Sequence, residues 1–214
     1  MKVAPSILAA DFRNLGAEIE RVNAAADIIH LDIMDGSLVP NISFGFPVVE
    51  AVAKVAQKPL DAHLMVVHPE RWFEKLAGCG VSMVSFHLEA AGRSTAKYLA
   101  QVRALGMKAG LAIDPDVPVE KLYRYIGKAD YFLIMSVFAG FGGQKFIYES
   151  LDRVAALKAE IQRRGNDALV QTDGGAFIGN AAALREAGVD IVVAGSAVFG
   201  AEDAGAAIEA MRRA

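Results

Sequence analysis

The chain has a single cysteine, Cys79, which excludes an internal disulfide and leaves no thiol pair for a zinc ribbon or a redox couple. A reducing, cytoplasmic setting is expected. Charge of one sign is also missing: 22 Lys and Arg stand against 25 Asp and Glu, a formal charge of −3. No broad basic field exists for nucleic acid, although a local site for a small anion stays open. No apolar run is long enough to cross a membrane. The run from Val3 to Ala10 is interrupted by Pro5 and followed at once by Asp11 and Arg13, too short for a signal peptide's apolar segment or a span. Linkers, low-complexity tracts and long charge runs are absent, and so is the GxxxxGK[ST] pattern of a nucleotide P-loop. One domain covering residues 1–214 is therefore expected, with 54% apolar residues sufficient for its core.

What the chain does have is a repeated unit: a short apolar, often β-branched run, then a polar turn, then an amphipathic stretch. Strands are expected at Val3–Leu8, Ile28–Met34, Leu60–Met65, Met83–His87, Lys108–Ile113, Tyr131–Met135, Leu169–Thr172 and Ile191–Ala194. Between them the spacing predicts helices over Asn14–Ala25, Pro47–Val55, Glu70–Ala77, Ala96–Leu105, Glu149–Arg164 and Ala181–Ala187. Eight alternating units with no strand-only region point to a parallel α/β fold, and eight strands point to a closed (β/α)8 TIM barrel rather than an open doubly wound sheet. Functional residues should then gather at the carboxyl ends of the strands.

They do so in the sequence. The stretch "HLDIMDG" puts His30, Asp32 and Met34 on one face of a strand and Ile29, Leu31 and Ile33 on the other. Strand three carries His63 and Met65, and strand seven ends at Thr172-Asp173-Gly174-Gly175. An isolated His-x-Asp is more often a local hydrogen-bonded pair than a ligand set. Here His30, Asp32, His63 and Asp173 fall at three strand ends, which a barrel focuses on one divalent cation. Imidazole with carboxylate suits Zn, Fe, Co or Mn over Ca or Mg. His68 reads as a surface residue, His87 as a satisfied histidine of the pocket wall, and Asp35, beside Gly36, as a turn residue.

Glycines form a second theme. Gly140-Phe141-Gly142-Gly143 follows strand six, Gly174-Gly175 follows strand seven and Gly195-Ser196 follows strand eight. Any one of these can serve a tight turn. On neighbouring strands they also let backbone amides approach a phosphate. Met34, Met65 and Met135 recur at strand ends, either as core filler or as a soft cap over a planar intermediate that offers no proton of its own.

These residues carry a resemblance to the D-ribulose-phosphate 3-epimerase family, which runs in order through "APSILAADF", "HLDIMDG", "VPNISFG", "PLDAHLM", "GFGGQKFI", "TDGG" and "VAGSAVF". The resemblance implies a (β/α)8 barrel with one divalent metal that interconverts D-ribulose 5-phosphate and D-xylulose 5-phosphate, a pentose phosphate role. It implies His30, Asp32, His63 and Asp173 as ligands, with Asp32 and Asp173 also the acid–base pair. Ser6 and His63 would meet the substrate, and Gly142, Gly143, Gly175, Gly195 and Ser196 its phosphate, with Gly140, Phe141 and Gly174 on the same rim.

Two departures stand out. The family commonly has Asn-Pro where Phe138-Ala139 stands, and Asn-Pro-x-Thr-Pro where Asp114-Pro115-Asp116-Val117-Pro118 stands. Both loops border the expected substrate mouth, so an allulose 6-phosphate 3-epimerase is the nearest rival. A lysine-dependent lyase is disfavoured, because no lysine ends strand two, three or seven. The last alternative is a barrel that only binds a sugar phosphate. A homo-oligomer is compatible with the sequence, in which an exposed and a buried apolar helix face read alike.

Overall fold

The computed structural model describes residues 1–214. Eight parallel strands occupy Lys2–Pro5 (β1), Ile29–Met34 (β2), Leu60–Met65 (β3), Met83–His87 (β4), Lys108–Ile113 (β5), Tyr131–Met135 (β6), Leu169–Asp173 (β7) and Ile191–Ala194 (β8). From β2 to β8 each strand pairs with its neighbour in chain order, and β1 pairs with β8. A single parallel bridge between Ser6 and His30 joins the β1 edge to β2 and brings the sheet round on itself. The chain is a single-domain (β/α)8 barrel.

The helices are Leu15–Asn23 (α1), Phe46–Val55 (α2), Phe73–Gly78 (α3), Leu88–Ala91 (α4), Thr95–Ala104 (α5), Ser150–Arg163 (α6), Ile178–Ala187 (α7), Ser196–Phe199 (α8) and Ala204–Arg213 (α9). Their packing follows from spacing. In α6 the buried residues Ser150, Val154, Leu157 and Ile161 recur at helical intervals along one stripe. That stripe joins outward-facing strand residues such as Ile29, Leu31, Ile33, Leu64 and Ile134 in one large core between sheet and helices. Inward-facing residues form a separate plug at the amino end of the barrel, from Ala4, Ile28, Met83, Tyr131, Ile191 and Val193.

One expectation is corrected and two elements are added. The first strand stops at Pro5, because the Ser6 side chain accepts the Leu8 N–H and turns Ile7–Ala9 into a 3-10 helix. Between β5 and β6, where the spacing named no helix, there is a 3-10 stretch, Val119–Tyr125. Its buried residues Val119, Leu122 and Tyr125 are three apart, the repeat that a 3-10 turn brings to one side. The C-terminal α9 adds a helix that the sequence pattern had not marked. Asp203 caps it by accepting from Ala206 N–H, and Arg212 ties it to Asp27 at 2.8 Å. No helix is long and apolar enough to cross a membrane.

Candidate active site

Register places the chemistry. In the β2–β3 ladder His30 pairs with Asp61, Asp32 with His63 and Met34 with Met65, so each inward side chain meets a chosen partner one strand away. Asp173 ends β7, beside Met135 of β6. One ligand atom from each of His30, Asp32, His63 and Asp173 lies within 4.8 Å of all the others. The closest approaches are His63 Nδ1 to Asp32 Oδ1 at 3.2 Å, His30 Nε2 to Asp32 Oδ1 at 3.4 Å, and Asp173 Oδ2 to the same two nitrogens at 3.7 and 3.8 Å.

Each of these groups is held from behind. His30 Nδ1 lies 2.9 Å from Asp61 Oδ2, so the ionised carboxylate takes its N–H and aims Nε2 at the cluster, where it offers a lone pair once its own proton is displaced. That Nε2 is buried and has no hydrogen-bond partner. A buried imidazole lone pair aimed between two carboxylates is what a metal ligand requires, and the two-nitrogen, two-oxygen donor set fits a Zn, Fe, Co or Mn ion. Asp61 also accepts from Tyr131 Oη and from Gln171 Nε2, each at 2.7 Å. Gly110 makes this possible, since a Cβ there would collide with the Tyr131 ring. Asp32 accepts from the Ser6 hydroxyl at Oδ2, 2.5 Å away. Ser43 bridges the backbone of β2, donating to Asp32 O at 2.6 Å and accepting from Met34 N–H at 3.0 Å.

Electrostatics follow from this packing. Burial alone would raise the Asp32 carboxyl, but His30 and His63 outweigh it and hold the group far below its ordinary range. Burial would lower the His30 imidazole, yet Asp32 and Asp61 push it well above 6.5. His63 is raised against burial by Asp173 and Asp32. Asp61 is lowered against burial by His30, Gln171 and Tyr131. These four groups form a nest of opposite charges that a cation displaces protons to enter.

Above the cluster opens a cavity of about 660 Å³. Ser6, Asp32 and Asp173 lie at its lining with Met34, Met65 and Met135. The glycine-rich segments complete it: Gly140, Phe141, Gly142 and Gly143, then Gly174 and Gly175, then Gly195 and Ser196. His30 and His63 are fully buried beneath this surface and do not line it. Phe138, Phe141 and Phe177 stand half-exposed around the mouth. No lysine or arginine lines the cavity, so an anion there meets backbone N–H groups.

Several residues that position the site were not singled out in the sequence. Asp61 is one, although it sits two before His63 and the same period-two rule puts it on the inner face. Asn180 holds the strand-seven loop, its Oδ1 accepting from Phe177 N–H and its Nδ2 donating to Gly175 O. Asn41 donates to Gly140 O at 2.7 Å, and Gln144 donates to the carbonyls of Phe138 and Phe141. Such loop contacts have no local sequence signal. His87 does not line the cavity; it is completely buried behind His63. His68 is exposed, and Asp35 folds its own turn by accepting from Ser37 N–H at 2.9 Å.

A model of the ribulose-phosphate 3-epimerase family matches residues 2–199, across the strands that build this cluster. The chain belongs to the ribulose-phosphate 3-epimerase family. Curated relatives named ribulose-phosphate 3-epimerase include one from Synechocystis, 45% identical over 98% of this chain and 92% of its own. Another, from Bacillus subtilis, is 42% identical over 99% and 98%. A rice relative named as the cytoplasmic isoform is 38% identical over 99% and 93%. Membership of this family makes the chain an epimerase, an isomerase by class. Solved structures share the barrel at lower identity. A 3-hexulose-6-phosphate synthase superposes with a TM-score of 0.73 at 19% identity, covering 100% of this chain and 99% of its own. KGPDC from Streptococcus mutans in complex with D-R5P gives 0.74 at 11%, covering 99% and 95%.

Proposed function

We propose that the chain inverts C3 of D-ribulose 5-phosphate to give D-xylulose 5-phosphate, with Asp32 and Asp173 as the acid–base pair and His30, Asp32, His63 and Asp173 as the holders of one divalent metal. The observation that carries this reading is the convergence of two carboxylates from β2 and β7, which line the cavity, with two imidazoles buried just beneath it. C3 of a 2-ketose is acidic because it adjoins the carbonyl. One base working on one face would mostly return the proton it took. A second carboxylate on the other side of the sugar plane is needed for inversion, and strands two and seven supply one from each side.

When bound, the metal supplies Lewis-acid polarisation of the ketose oxygens. Every other part belongs to the chain. Asp32 is kept ionised by the imidazoles beside it and oriented by Ser6, ready to take or return the C3 proton on its face. Asp173 serves the opposite face. Met34, Met65 and Met135 cover the planar enediolate without offering a competing proton. Backbone N–H groups of Gly142, Gly143, Gly175, Gly195 and Ser196 receive the phosphate, with Gly140, Phe141 and Gly174 shaping the same rim. His63 is buried beneath the cavity surface and would act as a metal ligand, not as a direct substrate contact. That a structural neighbour was solved with D-R5P fits a sugar-phosphate ligand. A cytoplasmic location fits the lone cysteine and the rice relative's name.

The test is NMR of metal-quantified protein in D2O with D-ribulose 5-phosphate, then with D-allulose 6-phosphate. Deuterium at C3 together with D-xylulose 5-phosphate, both lost on chelation, is the expected result. Exchange with the hexulose alone transfers the assignment to the larger sugar, to which the departures at Asp114 and Phe138-Ala139 would then be the key. No exchange with either leaves a binding barrel and overturns the reading.

A further inference from the structure

Behind the cluster, His63 Nε2 and His87 Nε2 stand 2.9 Å apart, with their ring planes inclined by only 19° and both residues at 0% exposure. Two neutral imidazoles at that distance share one proton: one nitrogen donates and the other accepts. His63 Nδ1 is the nitrogen that faces Asp32 and Asp173, at 3.2 and 3.7 Å. A nitrogen that gives its lone pair to a metal carries no proton, so a neutral, ligating His63 holds its proton on Nε2 and donates it to His87. His87 then accepts at Nε2 and must carry its own proton on Nδ1. That Nδ1 is buried without a hydrogen-bond partner, and the carboxylate it faces is Glu89 Oε1, at 3.7 Å. Glu89 is itself anchored, accepting from Asp114 N–H at 3.0 Å.

We propose that His87 and Glu89 are positioning residues for the metal centre: they fix His63 as the Nε2–H tautomer and lock its ring, as Asp61 does for His30. The proposal rests on the reading that His63 ligates a metal. It also decides a competing possibility. Ligand atoms of His87, Glu89 and Asp114 lie within 4.8 Å of one another and resemble a second metal site. A metal on His87 Nδ1 would force the His87 proton onto Nε2, where it would oppose the His63 Nε2–H at 2.9 Å. While both rings are neutral, the two arrangements exclude each other, and the chain binds one ion.

The experiment uses the full chain loaded with zinc. Long-range proton–nitrogen NMR of histidine-labelled protein should show His63 protonated at Nε2 and His87 at Nδ1, with a zinc stoichiometry of one. Zinc affinity is then measured by chelator competition. His87→Leu, which removes the acceptor, should weaken zinc about 10–100-fold, the usual effect of losing such a partner. His87→Gln, whose amide oxygen accepts in place of Nε2, should stay within a few-fold, and Glu89→Ala should fall between them. The cobalt-substituted protein should change its visible spectrum in His87→Leu and not in His87→Gln. His87 protonated at Nε2, zinc affinity unchanged in a folded His87→Leu, or two zinc ions per chain would each overturn the relay alone. Wild-type protein that takes up no zinc, or takes it up without perturbing His63, overturns the underlying metal reading and the relay with it.

Discussion

Asp61 Oδ2 lies 2.9 Å from His30 Nδ1 in the closed interior of the barrel, a carboxylate fixing an imidazole that no solvent reaches. The same carboxylate accepts from Tyr131 and Gln171, so it serves three donors at once. Asp61→Leu leaves all three unpaired and is expected to cost about 3–5 kcal/mol, the scale of breaking a buried charged pair. Asp61→Asn keeps the volume and loses one acceptor oxygen. It should fold and bind zinc about 10–100-fold more weakly. Urea unfolding measures the first effect and chelator competition the second.

Asp32→Asn and Asp173→Asn should each lower epimerisation by about 10²–10⁴-fold, the span of a lost general acid or base. Metal content must be measured in both, because each residue also belongs to the ligand set. Appreciable turnover by either variant at full metal loading would sink the two-base account. Solvent exchange at C3 that survives in one variant for one epimer only would identify which face each carboxylate serves.

The two departures from the family pattern touch each other. Ala139 N–H donates to Asp114 Oδ1 at 3.1 Å, a bond that a proline at 139 has no hydrogen to make. Ala139→Pro should therefore loosen the tie between the strand-five loop and the glycine-rich loop, raising KM more than it lowers kcat. A double-mutant cycle with Asp114→Ala should give a coupling of about 1 kcal/mol in thermal stability. Simple additivity would show that the two changes are independent.

Gly175 has a φ of +64°, and a Cβ there would lie 2.7 Å from Phe146 N and 3.1 Å from Gln144 O. Backbone on both sides cannot swing away as a flexible side chain would. Gly175→Ala should displace residues 144–146, raise KM for the sugar phosphate several-fold, and lower the melting temperature. An unchanged KM would remove this segment from the phosphate site.

For the metal-free chain, the shifted groups set opposite limits in pH. Asp61 is depressed below 3.8, so its contribution is complete above that value and is lost as pH falls through the lower folded value. His30 is raised above 6.5, so its contribution is complete below 6.5 and is lost as pH rises through the higher folded value. Stability of the metal-free chain should thus decline on both sides of a window between about pH 4 and 6.5. Zinc affinity should climb with pH over the upper limb, because ligation needs the imidazoles neutral. Denaturation midpoints with and without zinc, taken from pH 3 to 9, check both signs.

Much of this protein was legible along the chain. Alternation with a period of two assigned His30, Asp32 and Met34 to one face of β2, and the core confirms it, with Ile29, Leu31 and Ile33 packed outward. Eight strand–helix units sufficed for the barrel, and barrel geometry sent His63 and Asp173 to the same end. Where local spacing carried no clue, reading was incomplete: the 3-10 stretch at Val119–Tyr125 has too few turns to show a helical stripe, and Asn180 acts through a loop folded back on it.

What the tertiary structure alone decided is who stands behind whom. Interstrand register set His30 against Asp61 and Asp32 against His63, and the Ser6–His30 bridge brought the Ser6 hydroxyl to Asp32. Neighbouring strands carried His87 behind His63 and not into the cavity. A sequence states which face a side chain takes, because that depends on its own backbone. Its partner depends on how strands slide past one another, and that is settled only when the ladders, the crossing helices and the closed ring are satisfied together.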